Sequence, residues 1–164
     1  MSRCRPATPA DAVAIAAIYN EGIEDRIATF ETRHRSTHDI LSWFGGHHPI
    51  VVVEDGGQVV AFAAATTYRT RECYAGIAEF SIYVARTHRS RGYGRAAMKG
   101  LCDAAERAGF WKLVSRVFPE NAASRELLKA LGFREVGVYR RHGKVDGAWR
   151  DAVIVEKLLG EAAK

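Results

Sequence analysis

The sequence contains few cysteines, and their spacing does not suit a cysteine-based site. Cys4, Cys73 and Cys102 are odd in number and far apart along the chain. This spacing excludes a disulfide framework and a CxxC metal motif, so reduced thiols are expected and no metal site is predicted. Cys102 lies in an alanine-rich stretch and is expected to pack in the core.

Long apolar runs, linkers, repeats and low-complexity tracts are also missing. No segment is long and apolar enough to span a bilayer, and the N-terminus has no charged-then-apolar leader. We therefore expect a cytoplasmic protein without membrane association. A length of 164 residues fits one domain with its own core, so we predict a single domain over residues 1–164.

The charge is not balanced, with a formal net charge of +5 and a pI of about 9.3. An excess of positive charge favours an anionic partner. The basic residues are scattered, however, and the chain has no lysine tail or nucleic-acid recognition module. A small phosphorylated or acidic ligand therefore fits better than a nucleic acid.

Alternation and helical periodicity predict a series of antiparallel strands followed by alternating helices and strands. The expected fold is α/β (α+β), with a mixed, mostly antiparallel sheet and helices on both faces. Residues 24–35 lack periodicity and are predicted to form a loop, and Asp55-Gly56-Gly57 a hairpin turn. The predicted strands are 2–5, 50–54, 59–68, 77–85, 111–117, 134–140 and 152–158. The predicted helices begin near Thr8, near Ser36 (ending at about Gly45), at Arg95 (ending at 108) and after Asn121 (ending at Gly132).

The most informative segment is the basic glycine turn Arg89-Ser90-Arg91-Gly92-Tyr93-Gly94-Arg95, between a strand and a helix. Free backbone N–H groups, a helix N-terminus and cationic side chains at one place suit a phosphate. A P-loop needs Lys-Ser or Lys-Thr after its last glycine, and Arg95-Ala96 stand there instead. Taken alone, the two glycines also suit a tight strand-to-helix turn.

The turn and a second motif resemble the GCN5-related N-acetyltransferase superfamily. Arg-x-x-Gly-x-Gly after a strand is similar to its pyrophosphate-binding signature. Pro119-Glu120-Asn121-Ala122-Ala123-Ser124, followed by Leu131-Gly132-Phe133, is similar to its second cofactor element. The two motifs also stand in the order that the superfamily has.

Further segments resemble one branch, the phosphinothricin and methionine sulfoximine acetyltransferases. Ala28-Thr29-Phe30-Glu31, Tyr68-Arg69-Thr70-Arg71 and the stretch from Gly143 to Asp151 carry this likeness, which covers nearly the whole chain. The sequences of residues 110–117 and 139–143 are most similar to those of the arsinothricin N-acetyltransferases. The resemblance implies acetyl transfer from acetyl-CoA to the α-amino group of a glutamate-like amino acid, by a homodimer.

The resemblance also implies where acetyl-CoA binds. The pantetheine arm would pair with the backbone along one strand, while the turn would hold the pyrophosphate. Asn121 would bond the pantetheine, cap its helix, or do both, and Arg89 would contact phosphate or face solvent. The residues implied in cofactor binding are Ile82, Tyr83, Val84, Arg89, Ser90, Arg91, Gly92, Tyr93, Gly94, Arg95, Asn121 and Ser124.

Glu79 is the candidate catalytic base. An α-amino group is mostly protonated at pH 7 and must lose a proton before it attacks a thioester. Glu79 lies among alternating apolar residues, where partial desolvation would make a carboxylate a better base, acting directly or through a water. The alternative is an exposed glutamate on an edge face.

The amino-acid substrate would carry carboxylate and oxyanion groups, which need cations. Arg69 and Arg71 are two residues apart and would share one face of a strand, where their forked donors suit oxyanions. Phe30 and Glu31 lie in the loop that the family closes over substrate, although Phe30 would also suit a core. The predicted substrate-binding residues are Phe30, Glu31, Arg69, Arg71, Tyr74 and Lys144.

One departure from the superfamily concerns the general acid. Many members have a tyrosine, and the branch often a histidine, where this chain has Leu128, so no general acid is assigned. The alternatives that remain are a methionine sulfoximine or sulfone acetyltransferase, a protein or peptide N-acetyltransferase, and a non-enzymatic acyl-CoA sensor. Retention of Glu79 argues against the sensor, because a pure binder needs no base.

Overall fold

A computed structural model describes residues 1–164 as one seven-stranded sheet in the order β1-β2-β3-β4-β5-β7-β6. All neighbouring strands are antiparallel except β4 and β5, which run parallel. The strands are β1 (Ser2–Pro6), β2 (Ile50–Asp55), β3 (Gln58–Thr67), β4 (Ile77–Val84), β5 (Lys112–Val117), β6 (Arg134–Val145) and β7 (Ala148–Leu158). The helices are α1 (Ala12–Asp25), α2 (Thr37–Leu41), α3 (Tyr93–Arg107) and α4 (Ala122–Ala130), with short 3-10 turns between elements.

The helices form two layers because successive strand residues point to opposite faces. In β3, Phe62 packs with Ile15 of α1 and Ile40 of α2. Its neighbour Ala63 belongs to the other core, with Leu101 of α3 and Leu128 of α4. The predicted α+β fold, with a mostly antiparallel sheet and helices on both faces, is confirmed.

Two predicted helices have the wrong bounds. The helix expected at Arg95 begins at Tyr93, directly after Gly92, whose φ of +85° turns the chain into the helix. The second helix ends at Leu41 rather than near Gly45, although Ser36 caps it as expected by accepting a hydrogen bond from Asp39 N.

The last two strands are much longer than predicted and form one hairpin. Asp146 and Gly147 connect β6 to β7 with φ values of +50° and +81°. Positive φ at both central residues is the geometry of the two-residue turns that best fit strand twist. Asp-Gly is the usual sequence of such turns, so the sequence did contain a signal for this hairpin.

An ionic cluster joins β1, β2 and the start of α1. Arg5 donates to both carboxylate oxygens of Asp11, at 2.8 and 2.9 Å, and to Glu54 at 2.6 and 2.9 Å. The Asp11 side chain is only 9% exposed. The hydrogen bonds from Arg5 hold the pKa of Asp11 below its usual value of 3.8.

Asp11→Asn is expected to lower the free energy of unfolding by about 1–2 kcal/mol at pH 7, because it weakens charge-assisted hydrogen bonds. A carboxyl whose pKa is lower in the folded state stabilises the fold above its unfolded pKa, and this contribution is lost as pH falls through the folded pKa. The unfolding free energies of the two proteins, measured in urea, should therefore differ at pH 7, and the difference should shrink as the pH falls below about 4 towards the folded pKa of Asp11. Asp103→Asn, at an exposed side chain without an ion pair, is the control. A constant difference at all pH values would contradict the ionic explanation.

No helix is long and apolar enough to cross a membrane. The side chains also form no group of three or more metal-ligating residues.

Candidate active site

The sheet opens between its two parallel strands. Pairing of β4 with β5 covers only Ile77–Glu79 against Lys112–Val114, and the strands separate after this point. The Ser115 hydroxyl donates to the Phe80 carbonyl at 2.8 Å. Beyond Phe80, the backbone edge of β4 that faces β5 has no strand partner, and this edge can pair with an extended ligand.

A cavity of about 550 Å³ follows the opened edge of β4 to the N-terminus of α3. A smaller cavity, of about 50 Å³, lies in the split itself beside Phe80, Ser115 and Arg116. Every residue predicted to bind the cofactor lines the large cavity except Arg91, which lies on the exposed side of the turn. They are Ile82, Tyr83, Val84, Arg89, Ser90, Gly92, Tyr93, Gly94, Arg95, Asn121 and Ser124.

The glycine turn leaves the N-terminus of α3 available to a ligand. Ser90 and Gly92 have φ values of +64° and +85°, and no side chain caps the helix. A Cβ on Gly94 would lie 3.1 Å from Leu127 Cδ1, so glycine lets α3 and α4 approach closely here. Uncapped N–H groups and the positive end of the helix dipole therefore face the cavity, an arrangement that suits a phosphate.

Arg89 stands at the rim of this cavity within an ionic network. Its Nη1 is 2.7 Å from Asp25 Oδ2, and its Nε donates to the Val84 carbonyl at 3.4 Å. Arg86 also binds Asp25, at 2.9 Å. Hydrogen bonds from Arg86 and then Arg89 hold the pKa of Asp25 below its usual value. The Arg89 guanidinium is thereby held at the edge of the cavity.

Asn121 connects α4 to the loop after α1. Its Oδ1 accepts a hydrogen bond from Ser124 N at 3.2 Å, which caps α4, and its Nδ2 donates to the Ile27 carbonyl at 3.3 Å. The capping function left open by the sequence is therefore present. Leu128, on the same helix, is 1% exposed and lines both cavities. Its side chain has no proton to donate.

Glu79 is the last β4 residue paired with β5, so its position is at the point of the split. Its side chain is 26% exposed, and Oε1 accepts a hydrogen bond from Arg116 Nη2 at 2.9 Å. Arg69 Nη1 is 3.9 Å from the same oxygen. The carboxylate is therefore partly buried and flanked by two guanidinium groups.

The expectation that Arg69 and Arg71 share one face of a strand is wrong. Strand β3 ends at Thr67, and both arginines lie in the bend before a short 3-10 turn, where alternation does not apply. Arg69 stacks over the Tyr68 ring, with Cζ 4.3 Å from the centroid, and reaches Glu79. Arg71 is exposed and makes no ion pair.

The other predicted substrate residues lie in several elements: Phe30 and Glu31 after α1, Tyr74 in the 3-10 turn before β4, and Lys144 in β6. Phe30 packs edge-to-face on Phe118 at 4.9 Å. The remaining contacts are Glu31 with Arg35 at 2.9 Å, Tyr74 with Tyr68 at 6.0 Å between ring centroids, and Lys144 over the Trp149 ring at 4.4 Å. No contact joins Lys144 or Tyr74 to Glu79. Phe30 packs on the residue that directly follows β5.

Sequence reasoning missed Arg116. In β5, Val114 is the register partner of Glu79, and Arg116 is two residues further on the same face. Strand alternation would have put Arg116 on the side of Glu79 if the parallel pairing of β4 and β5 had been known. That pairing is set by the fold and cannot be found from local periodicity.

A strand pair that separates beside an uncapped, glycine-led helix agrees with the acetyltransferase resemblance of the sequence. The family model described as "Acetyltransferase (GNAT) family" matches residues 15–133, and the chain belongs to this family.

Comparison with known proteins identifies close relatives within the family. An L-methionine sulfoximine/L-methionine sulfone acetyltransferase of Salmonella typhimurium is 31% identical over 97% of this chain and 95% of its own length. A phosphinothricin acetyltransferase from Sinorhizobium meliloti, solved in complex with acetyl-CoA, has a TM-score of 0.90 and 30% identity, covering 98% and 89% of the two chains. A ribosomal-protein-alanine N-acetyltransferase from Brucella melitensis has a TM-score of 0.91 and 31% identity, covering 96% and 99%.

Proposed function

We propose that this protein transfers the acetyl group of acetyl-CoA to the α-amino group of a glutamate-like amino acid that carries a side-chain oxyanion. Arsinothricin is the proposed preferred substrate and phosphinothricin a second one. The observation that carries the proposal is the position of Glu79, a carboxylate flanked by arginines where β4 and β5 separate. The following residues of the same strand, from Ile82 to Val84, line the cavity suited to a phosphate-bearing ligand. Relatives named for phosphinothricin and methionine sulfoximine acetylation support it.

The lining of the large cavity fits acetyl-CoA. The turn residues Ser90–Arg95, with Arg89 at the rim, would bind the pyrophosphate through backbone N–H groups and charge. The free backbone edge at Ile82, Tyr83 and Val84 would pair with the pantetheine, next to Asn121 and Ser124. Bound there, acetyl-CoA supplies an acetyl group activated as a thioester.

Glu79 is proposed to accept, directly or through a water, the proton that the substrate amine must lose. The amine nitrogen then forms a bond to the acetyl carbon while the carbon–sulfur bond breaks, and the second proton that the nitrogen loses passes to the departing sulfur or to solvent. Because Leu128 has no proton to give, no side chain at that position protonates the departing sulfur. A thiol has a pKa near 8.5, so a thiolate is an acceptable leaving group without such help.

The substrate is proposed to bind on the other side of Glu79. Arg69 and Arg71 would bind its oxyanions, with Lys144 as a further cation on the hairpin. Phe30, Glu31 and Tyr74 would form the walls of the substrate site.

We also propose a homodimer. The long edge strand β6 exposes the apolar residues Val136, Val138 and Tyr139. An unpaired edge strand with exposed apolar side chains is a favourable surface for association with a second copy.

A protein N-terminal acetyltransferase is the second candidate function. It is supported by the likeness to the ribosomal-protein-alanine N-acetyltransferase. A methionine sulfoximine or sulfone acetyltransferase is the corresponding alternative within the amino-acid class. The arginines beside Glu79 favour a small anionic substrate over a peptide, whose N-terminal residue has no free carboxylate.

A thiol-release assay with acetyl-CoA tests the proposal. The substrates to compare are arsinothricin, phosphinothricin, methionine sulfoximine, glutamate and a peptide that begins with alanine. We expect the arsinate and phosphinate amino acids to give the highest kcat/KM. Release with the peptide alone would contradict the proposal and favour the second candidate.

A further inference from the structure

The ion pair between Glu79 and Arg116 leaves binding capacity unused on both partners. Both arginine contacts of Glu79 are made to Oε1, and Oε2 has no hydrogen bond from the protein. Arg116 donates one hydrogen bond, through Nη2, and its Nε and Nη1 have no protein acceptor. The Arg116 side chain is 41% exposed, and the residue lines the small cavity in the split. The Glu79 carboxylate and the Arg116 guanidinium are therefore adjacent, and each has hydrogen-bonding atoms available to a ligand.

An α-amino acid has the complementary arrangement, because its ammonium and carboxylate are attached to the same carbon. We propose that Arg116 is a specificity-determining residue that binds the substrate α-carboxylate while Glu79 receives the neighbouring ammonium. The inference rests on the proposed function and names the residue that selects its substrate class. Binding exchanges one ion pair for two, so no charge loses its partner. Amines without an adjacent carboxylate, including protein N-termini, would leave Arg116 without an anion.

Arg116 suits this role better than the other cations near the split. Arg69 lies over the Tyr68 ring, donates to the Tyr68 carbonyl and is further from Glu79, at 3.9 Å. Arg150 lies over Phe118 and is paired with Glu120 at 3.3 Å. Lys144 lies over Trp149. Among these cations, Arg116 makes the shortest contact with Glu79, at 2.9 Å against 3.9 Å for Arg69.

The backbone that carries Arg116 is rigid, whereas its side chain is free to change partner. Arg116 lies in β5, where it pairs in register with Ile154 of β7. A strand inside a sheet positions a binding residue more accurately than a loop does. A partly exposed ion pair adds little stability, so its exchange for a substrate carboxylate costs little. The planar guanidinium then binds the carboxylate through a bidentate pair of charge-assisted hydrogen bonds.

The test compares phosphinothricin and methionine sulfoximine with their α-carboxamides, which keep the amine and remove the carboxylate charge. The wild-type protein is expected to prefer the acids in kcat/KM by about 10- to 100-fold, the range of a hydrogen-bonded charge. Arg116→Gln should reduce this preference to less than about threefold, and Arg116→Lys should keep part of it. The KM for acetyl-CoA should stay unchanged in both variants, which also shows that they are folded.

Arg134→Gln is the matched control, since it removes an arginine paired with Glu156 at 2.6 Å on the same sheet. It should behave as the wild type. If Arg116→Gln lowers kcat/KM for acids and amides by the same factor, Arg116 acts only through Glu79 and the inference is wrong while the proposed function stands. If the wild type acetylates the alanine peptide but neither acid nor amide, both the inference and the proposed function are wrong.

Discussion

Glu79→Gln is expected to lower kcat about 10²–10³-fold at pH 7, the range for loss of a general base. The amide has nearly the same size and can still accept a hydrogen bond from Arg116, so the geometry of the split is kept. What it loses is the ability to take a proton from the substrate ammonium. The KM for acetyl-CoA should be unchanged, because Glu79 is not among the residues that line the large cavity.

The pH profile separates a chemical from a structural role of Glu79. Solvent removes the proton from the substrate amine when the pH is well above the pKa of that amine, and the base is then not needed. The gap between wild type and Glu79→Gln should therefore narrow as pH rises. Glu135→Gln, which breaks the 2.8 Å Arg125–Glu135 pair, controls for the loss of a glutamate–arginine pair. A constant gap across pH, or unchanged turnover, would remove Glu79 from the mechanism.

The proposed site also differs from many superfamily members because it has no side chain that could protonate the leaving group. Leu128 is buried where many superfamily members have a proton donor, and it contacts both cavities. A thiol has a pKa near 8.5, so a thiolate can leave without a proton donor at this position. The proposed chemistry therefore needs a base at Glu79 and no acid at Leu128.

Most of the fold follows from local patterns in the sequence. Successive residues such as Phe62 and Ala63 point to the two opposite faces of β3. The turn Asp55-Gly56-Gly57 connects β2 to β3 in a hairpin. Eleven of the twelve residues predicted to bind the cofactor line the large cavity, because most of them lie in β4 and in a turn whose glycines are visible in the sequence. Eight further lining residues, within 22–28 and 123–130, were not predicted, since they reach the cavity only through the packing of α1 and α4.

The substrate side could not be predicted in the same way, because it depends on contacts between distant segments. Arg116 is 37 residues from Glu79 in the sequence, and the two side chains form a hydrogen bond because their strands, β4 and β5, form the only parallel strand pair in the sheet. Arg69 reaches Glu79 only because β3 ends at Thr67 and the chain bends. Neither event has a local signal. Pairing of Arg69 with Arg71, in contrast, was an extrapolation of strand alternation beyond the end of the strand.

Gly92→Val is expected to raise the KM for acetyl-CoA about 100-fold, the effect of losing one or two hydrogen bonds to a charged group. Gly92 has a φ of +85° and no atoms of other segments within 4 Å of a Cβ built on it, so a side chain would project into space beside the turn. A valine there would occupy ligand space and would disfavour the φ that directs the α3 N–H groups towards the cavity. Steady-state kinetics at saturating amino acid measures the effect.

Gly109→Val separates ligand binding from backbone strain. Gly109 lies at the other end of α3, with a φ of +93° and the same open surroundings, but it does not line the cavity. Both valines therefore carry a similar conformational cost, about 1–2 kcal/mol, and both should lower Tm similarly. Only Gly92→Val should change the KM for acetyl-CoA. Equal KM values in the two variants would mean that the glycines serve only to connect a strand to a helix. Because the strain is matched, a difference in KM measures the contribution of this turn to holding the phosphates.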